Sequence, residues 1–511
     1  MPTDGAAGPN LADLVARSAT HSGDRPAFVA AGRRLTWAQA DARISARAAG
    51  LQRLGLVPGE RVALMLPNVL DFPLTYFAVL RAGGVAVPVN TGYPARELGH
   101  LLADSGAALL VTDAAGAQVA AAVEQDCPQL RRVLHRGVSP DPVVALDEDG
   151  ATPDPTSRGG EDLAVLMYTS GTSGRPKGAM LSHRALLANI EQVAAIEPGP
   201  VTATDVVLLV LPLFHIYGLN VGLGLTAWAG ASAVLVDRFD PGACLELMAT
   251  ERVTTVAGAP PMYVQWAALD PAALRRGFAG VRTALSGAAA LPGGALATIR
   301  EATGVEIAEG YGLTETAPVL TSALGAAAKA GSIGRPIPGV ELQLWDDAGD
   351  PVDPEQDEEG TGQIVVRGRN TFSGYWPDGH DGPDRDGWVR TGDLGFLDDD
   401  GDLHLIDRLK DLVIVSGFNV YPQEVESVLR MHPGVREAAV VGMPDEATGE
   451  AVHALVVAAR GAQPAPEELL EYCRQRLARF KCPARISFHD SLPHSVTGKV
   501  SRARLRELGF G

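Results

Sequence analysis

The chain has 511 residues, 46% of them hydrophobic, which is long enough for more than one domain and apolar enough for sizeable cores. Lys and Arg number 43 against 61 Asp and Glu, so the net charge is −18, a balance that repels nucleic acid and anionic membrane surfaces and argues against both as partners. The cysteines, Cys127, Cys244, Cys473 and Cys482, are far apart and form no C-x-x-C pair, so they read as reduced thiols and not as a disulfide framework.

At the amino end, MPTDGAAGPNLADLVARS lacks a basic segment followed by an apolar run, and the final GFG carries no lipidation or sorting motif, so the cytoplasm is the expected compartment. An amphipathic stretch, WAQADARISARAAGLQRLG from Trp37, precedes the strand-like runs RVALML (Arg61–Leu66), VAVPVN (Val85–Asn90) and ALLVTD (Ala108–Asp113). This alternation predicts an α/β fold of parallel sheets covered by helices.

Leu166–Gly178, LMYTSGTSGRPKG, is an apolar strand that breaks into Gly, Ser and Thr and closes on a lysine. Gly171 and Gly174 admit backbone conformations that turn successive N–H groups toward one anion, while Thr169, Ser170, Thr172 and Ser173 add hydroxyls and Lys177 adds charge. The spacing is not that of a Walker A loop, because Lys177 follows Pro176 and precedes Gly178. Alone, such a loop is equally a surface turn.

Val206–Val236 contains no charged side chain apart from His215 and is long enough to cross a bilayer. Pro212, His215, Asn220 and several glycines divide it, however, into a buried strand, a loop, a helix and a second strand, so no transmembrane segment is expected. The acidic runs Asp346–Glu359 and Asp398–Asp402 lie among Gly and Pro and read as solvated turns between strands. Beyond Arg408 the pattern changes to VIVSGFNVYP, a helix EVESVLRMH, strands AAVVGMP and AVHALVVAA, and a helix EELLEYCRQRLARF, which together describe a small separate α/β unit. No G-x-S-x-G elbow is present, which argues against a serine hydrolase.

The loop at Leu166–Gly178 stands in one chain with GYGLTE (Gly310–Glu315), TGD (Thr391–Asp393), DRLKD (Asp407–Asp411) and TGK (Thr497–Lys499). In that order the motifs resemble the signature set of the adenylate-forming superfamily, which comprises acyl- and aryl-CoA synthetases, peptide-synthetase adenylation domains and luciferases. The resemblance runs from about Leu35 to Leu505 and is nearest to a fatty-acyl-CoA synthetase.

The resemblance implies a large N-terminal domain (1–406) of helix-covered sheets holding most of the ATP and acyl sites. It also implies a hinge at 407–410, centred on Lys410, and a small mobile C-terminal domain (411–511) that rotates between two half-reactions. The expected activity is ATP-dependent conversion of a carboxylic acid to acyl-AMP and pyrophosphate, followed by transfer to coenzyme A. A carboxylate attacking a phosphate brings anion to anion, so positive charge has to be supplied. Lys499 is implied as the residue that reaches the acyl carboxylate and α-phosphate, Lys177 as the partner of the β- and γ-phosphates, and Glu315 with Thr169 as ligands of Mg²⁺.

For the nucleoside, Tyr311 offers a flat face beside the small residues Gly287, Ala288 and Ala289, and Glu309, Gly310, Gly312 and Thr314 belong to the same implied ATP site. Asp393 is implied at the ribose hydroxyls, with Arg408 near the same sugar, and Ser416 with Gly417 at the pantetheine tunnel. His215 takes the implied position at the carboxylate entrance, and the apolar LFHIYGLNVGLGL around it favours a medium- or long-chain fatty acid. No arginine occurs between Asp205 and Asp237, which disfavours a short dicarboxylic acid, although Arg282 lies just before the SGAA turn. The alternatives are an aryl acid as substrate, or an acyl carrier protein as acceptor.

Overall fold

A computed structural model describes residues 8–136, 143–147, 150–169, 176–326, 329, 331–346, 348–352, 360–408, 411–415, 418–445, 448–494, 500–502 and 504–505. Packing divides the chain into two compact units. The first comprises Met1–Ala330, Gly334–Glu341 and Arg367–Val389; the second comprises Gly331–Ile333, Leu342–Val366 and Arg390–Gly511. This partition differs from the expected linear division at 406. Strand Val389–Leu397 pairs antiparallel with Leu403–Arg408, so the TGD motif packs with the residues that follow it.

The first unit contains two helix-covered sheets, as the alternation of apolar runs predicts. The larger has nine strands in the order Arg335–Pro336, Val319–Ser322, Ile307–Gly312, Thr283–Ser286, Thr255–Gly258, Val206–Leu209, Ser232–Leu235, Pro26–Ala30 and Arg33–Thr36. From Ile307–Gly312 to Pro26–Ala30 every neighbour is parallel. The smaller sheet has six strands, Arg132–His135, Leu109–Thr112, Arg61–Met65, Val85–Pro88, Leu163–Thr169 and Lys177–Ser182, and only its last pair is antiparallel. Parallel strands covered on both faces have no solvent side to mark, which is why VAVP and LLVT are buried at every position. Helix Trp37–Arg53 begins where the sequence provides a capping box, Thr36 accepting from the Gln39 N–H while the Gln39 side chain reaches back.

Val206–Val236 resolves into strand Val206–Leu209, a π-helical turn Tyr217–Gly224, helix Leu225–Ala229 and strand Ser232–Leu235. No helix among the described residues is long and apolar enough to cross a membrane.

In the second unit, strands Phe418–Val420, Val413–Val415, Gly449–Ala458 and Val435–Asp445 form a sheet that Arg485–Phe488 extends. Helices Pro422–Arg430 and Pro466–Arg474 cover it, each opened by a proline whose missing N–H costs nothing there. The core between them includes Val425, Leu429, Val440, Val456, Leu469 and Cys473. The second helix stops at Arg474, short of the Phe480 expected from sequence. Lys481 sits in a 3-10 turn where its Nζ reaches both Glu424 oxygens at 2.8 and 2.9 Å, and Pro483 follows. All four cysteines are free.

Candidate active site

The strand order of the large sheet creates a crevice. From Val206–Leu209 the chain moves to Ser232–Leu235 on one side, then returns to place Thr255–Gly258 on the other, and ligands of open α/β sheets bind outside the carboxyl ends of strands at such a switch point. The same edge carries His215 after the first of these strands, Gly287–Ala289 after Thr283–Ser286, and Gly310–Gly312 at the end of Ile307–Gly312.

The loop after Val206–Leu209 is held by buried Asn68, whose Nδ2 donates to the Leu209 and Leu211 carbonyls at 3.1 and 2.9 Å and whose Oδ1 accepts from the Leu213 N–H at 3.0 Å. His215 is half-buried, and its Nδ1 accepts from the Tyr217 N–H at 3.2 Å, which leaves the proton of a neutral ring on Nε2. The π-helical turn begins at Tyr217, a departure from α geometry that recurs at functional sites. Burial pushes the Tyr217 phenol well above its ordinary pKa. A Cβ at Gly287 would stand 3.1 Å from the Tyr217 ring, so a glycine is what lets the SGAA turn meet the His215 segment this closely. Ala288 next to it has φ +75°, a left-handed conformation rare for a residue with a Cβ.

Tyr311 is buried at 9% exposure in strand Ile307–Gly312, facing Thr321 in the antiparallel ladder. At Gly312 a Cβ would lie 1.9 Å from the Pro318 carbonyl oxygen, so no other residue fits. Glu309 Oε1 accepts from the Leu291 N–H at 2.9 Å, and burial raises its pKa despite that bond.

Thr314 and Glu315 lie in the short 3-10 turn Thr314–Thr316. Three asparagines fix its surroundings. Asn220 Nδ2 donates to the Ala317 carbonyl at 2.7 Å and to Leu186 at 3.1 Å, Asn370 Nδ2 donates to Thr316 at 2.8 Å, and Asn189 exchanges two bonds with Val319. Asn220 belongs to the π-helical turn, so the His215 segment and the Glu315 turn share a side-chain tie.

Thr169 and Lys177 are paired across the antiparallel strands Leu163–Thr169 and Lys177–Ser182. The Lys177 strand packs against the Glu315 turn, and a further segment binds both: Ser373 N–H donates to Met180, Trp376 N–H to Gly178 and Phe372 N–H to Glu315, all onto carbonyls within 2.9 Å. Tyr375 is thereby set between the two predicted residues. Its hydroxyl donates to Glu315 Oε1 at 2.6 Å, and the Lys177 ammonium stands 4.9 Å from its ring centroid while pairing with Asp381 at 3.1 Å.

In the second unit, Asp393 and Arg408 are direct partners in the antiparallel ladder, and Asp393 is buried inside strand Val389–Leu397. Ser170, Gly171, Thr172, Ser173, Gly174, Lys410, Ser416, Gly417 and Lys499 lie outside the described residues. Arg282 is accounted for: it stands at the opposite end of strand Thr283–Ser286 from Gly287, bound to Asp205 Oδ2 at 2.6 Å and to the Gly199 and Pro200 carbonyls.

Sequence reasoning missed Tyr375, Asp381 and the buried asparagines. The available signal for the latter was isolated Asn within apolar runs, as in IYGLNVGLGL, where a buried amide has to find partners.

The chain matches the family described as AMP-binding enzyme over residues 15–376, and the AMP-binding enzyme C-terminal domain over residues 424–499. It is 36% identical to a long-chain-fatty-acid–CoA ligase of Yersinia pestis, over 98% of this chain and 94% of that one. It is 38% identical to a feruloyl-CoA synthase of an Amycolatopsis species, over 93% and 94%. The crystal structure of ATP-bound MatB from Rhodopseudomonas palustris aligns with a TM-score of 0.89 at 34% identity, covering 98% of this chain and 99% of that one.

Proposed function

The chain belongs to the AMP-binding enzyme family, and on that premise we propose that it is an AMP-forming ligase that joins a medium- or long-chain fatty acid to coenzyme A. In the first step a carboxylate oxygen attacks the α-phosphorus of ATP, the bond to the bridging oxygen breaks, and pyrophosphate leaves. In the second the CoA thiolate attacks the acyl carbon and AMP leaves. The observation that carries this reading is the juxtaposition of Lys177 and Glu315 on either side of Tyr375, in a unit whose large sheet presents the His215 loop, Gly287 and Tyr311 along one edge.

Lys177 supplies charge to the β- and γ-phosphates, where transition-state charge accumulates on the leaving group. Tyr311 and Gly287–Ala289 receive the adenine, Glu309, Gly310, Gly312 and Thr314 shape the surrounding strand end, and Asp393 with Arg408 addresses the ribose. Glu315 and Thr169 fit Mg²⁺ by their chemistry: both are hard oxygen donors, and Glu315 Oε2 has no hydrogen-bond partner among the described residues. Such an ion would take its remaining ligands from phosphate and water. When bound, that ion neutralises phosphate charge.

His215 Nε2–H is the donor for the incoming carboxylate. The buried, uncharged residues that follow it in the chain, Leu219, Val221 and Leu223, favour an apolar tail. Arg282, committed to Asp205, offers no second carboxylate site. Lys499 completes the charge at the α-phosphate, Lys410 is the hinge, and Ser416-Gly417 lines the thiol route in a C-terminal domain (411–511) that turns against residues 1–406 between the two steps; the reaction is placed in the cytoplasm.

A second reading, an aryl acid as substrate, rests on the 38% identity to a feruloyl-CoA synthase. A panel of saturated fatty acids and cinnamic acids, scored for pyrophosphate release with and without CoA, separates the two. The proposal expects release that rises with chain length and is stimulated by CoA. Preferential release with cinnamic acids supports the second reading, and no acid-dependent release refutes both.

A further inference from the structure

Tyr375 has no role in the reading above, yet its side chain touches both Lys177 and Glu315. Its backbone is fixed on both sides. Its N–H donates to the His380 carbonyl at 2.9 Å, its carbonyl accepts from the Gly379 N–H at 2.8 Å, and the flanking Ser373 and Trp376 N–H groups are bound to the Lys177 strand. Phe372 packs edge-on against its ring at 5.2 Å. A side chain held this way presents a stationary hydroxyl to Glu315 and a stationary ring face to Lys177.

We propose that Tyr375 is a positioning residue of the nucleotide site: its hydroxyl fixes the Glu315 carboxylate through Oε1 and leaves Oε2 as the metal-facing oxygen, while its ring holds the Lys177 ammonium near the phosphates. The inference rests on the proposed reading of Glu315 as the carboxylate that meets Mg²⁺. A ligating carboxylate is free to rotate unless something outside the coordination shell holds it, and loss of such a partner typically costs about 10- to 100-fold in metal affinity. The Oε1 bond at 2.6 Å is within the range of charge-assisted O–H···O⁻ bonds. The ring contact is weaker; at a partly exposed site a cation over an aromatic face contributes about two- to fivefold. Asp381, which carries the other contact to Lys177, is 64% exposed and so gives up the ammonium readily to a phosphate.

The test uses the full-length protein and titrates ATP calorimetrically at graded MgCl₂ with no carboxylic acid present, so that nothing turns over. Tyr375→Phe keeps the ring and removes the hydroxyl; Tyr375→Leu removes both; Glu315→Gln reports on the underlying reading. The expected result is that Tyr375→Phe raises the Mg²⁺ concentration for half-maximal enhancement of ATP binding about 10- to 100-fold and leaves Mg²⁺-free ATP binding and the melting temperature unchanged. Tyr375→Leu should in addition weaken Mg²⁺-free binding about two- to fivefold. If Glu315→Gln shifts the Mg²⁺ dependence and Tyr375→Phe does not, the proposal is overturned while the reading of Glu315 survives. If neither shifts it, that reading fails and the proposal goes with it. Equal weakening of ATP binding by Tyr375→Phe with and without Mg²⁺ would mean a packing role only, and would also overturn the proposal.

Discussion

Arg502, three residues beyond Lys499, is the centre of a buried ion cluster in the second unit, and its removal gives a sharp prediction. Its Nη1 lies 3.3 Å from Asp407 Oδ1 and 3.0 Å from Asp411 Oδ2, and its Nη2 lies 3.0 Å from Glu426 Oε1. The side-chain exposures are 16% for the arginine and 0, 9 and 10% for the three acids, so solvent screens little of this field. Burial lowers the Arg502 pKa, but Glu426, Asp407 and Asp411 together raise it further. Arg502→Ala removes the cation that pairs with all three of these buried carboxylates. Breaking a buried pair by deleting one partner costs about 3–5 kcal/mol, which in a unit of this size corresponds to a melting-temperature loss of roughly 6–20 °C. The pH dependence has a definite sign. Burial, the largest influence, already holds Glu426 above the ordinary carboxylate pKa while Arg502 pulls it down. Without the arginine the folded-state pKa rises further above the unfolded value, so the folded variant takes up protons first and gains stability as pH falls from 7 toward 5. Calorimetric melting of full-length wild type and variant at both pH values should show a gap that narrows on acidification. A loss below about 1 kcal/mol, or a gap that is constant or widens, would refute the reasoning.

Further consequences concern the first unit. His183 is fully buried with Nδ1 accepting from the Leu11 N–H at 3.0 Å, and burial, aided by Arg158, lowers its pKa from 6.5 to about 4. The unfolded chain therefore binds a proton first, and stability present above pH 6.5 is lost as pH falls toward 4, by roughly 3 kcal/mol; in His183→Asn, which keeps an acceptor for Leu11, calorimetric melting should show a flatter pH profile over that interval. Asn220→Ala strips donors from the Leu186 and Ala317 carbonyls and should cost about 2–3 kcal/mol in urea unfolding, with weaker Mg²⁺-dependent ATP binding because the Glu315 turn loses its tie to the His215 segment. Gly312→Ala places a methyl 1.9 Å from a backbone oxygen and should cost about 3 kcal/mol or more, read as loss of soluble folded protein or a lowered melting point.

Much of this molecule was legible in the sequence because its signals are local. Buried strands read as short apolar runs, and Val206–Val236 divides into strand, loop, helix and strand as expected, although the helical stretch begins at Tyr217 and takes in Asn220. Glu315 and Lys177, which the motif resemblance implies at one site, are both brought by the structure to one tyrosine. What was not legible depends on partners remote in the chain. Tyr375 meets Glu315 across 60 positions, and the tie between Asn220 and Ala317 spans 97. Arg282 looked available beside the SGAA turn because sequence adjacency hides direction: it lies at the amino end of a strand whose carboxyl end carries the turn. The four-stranded sheet of Val340–Trp345, Thr361–Gly368, Val389–Leu397 and Leu403–Arg408 likewise joins strands well separated in the chain and follows no local break.

The central claim is that a distant ammonium joins a fixed set of donors to let two anions react, and Lys499→Ala tests it most directly. Acid-dependent exchange of labelled pyrophosphate into ATP should be abolished, while synthetic acyl-AMP is still converted to acyl-CoA at near the wild-type rate. Exchange at the wild-type level in the variant would contradict the account.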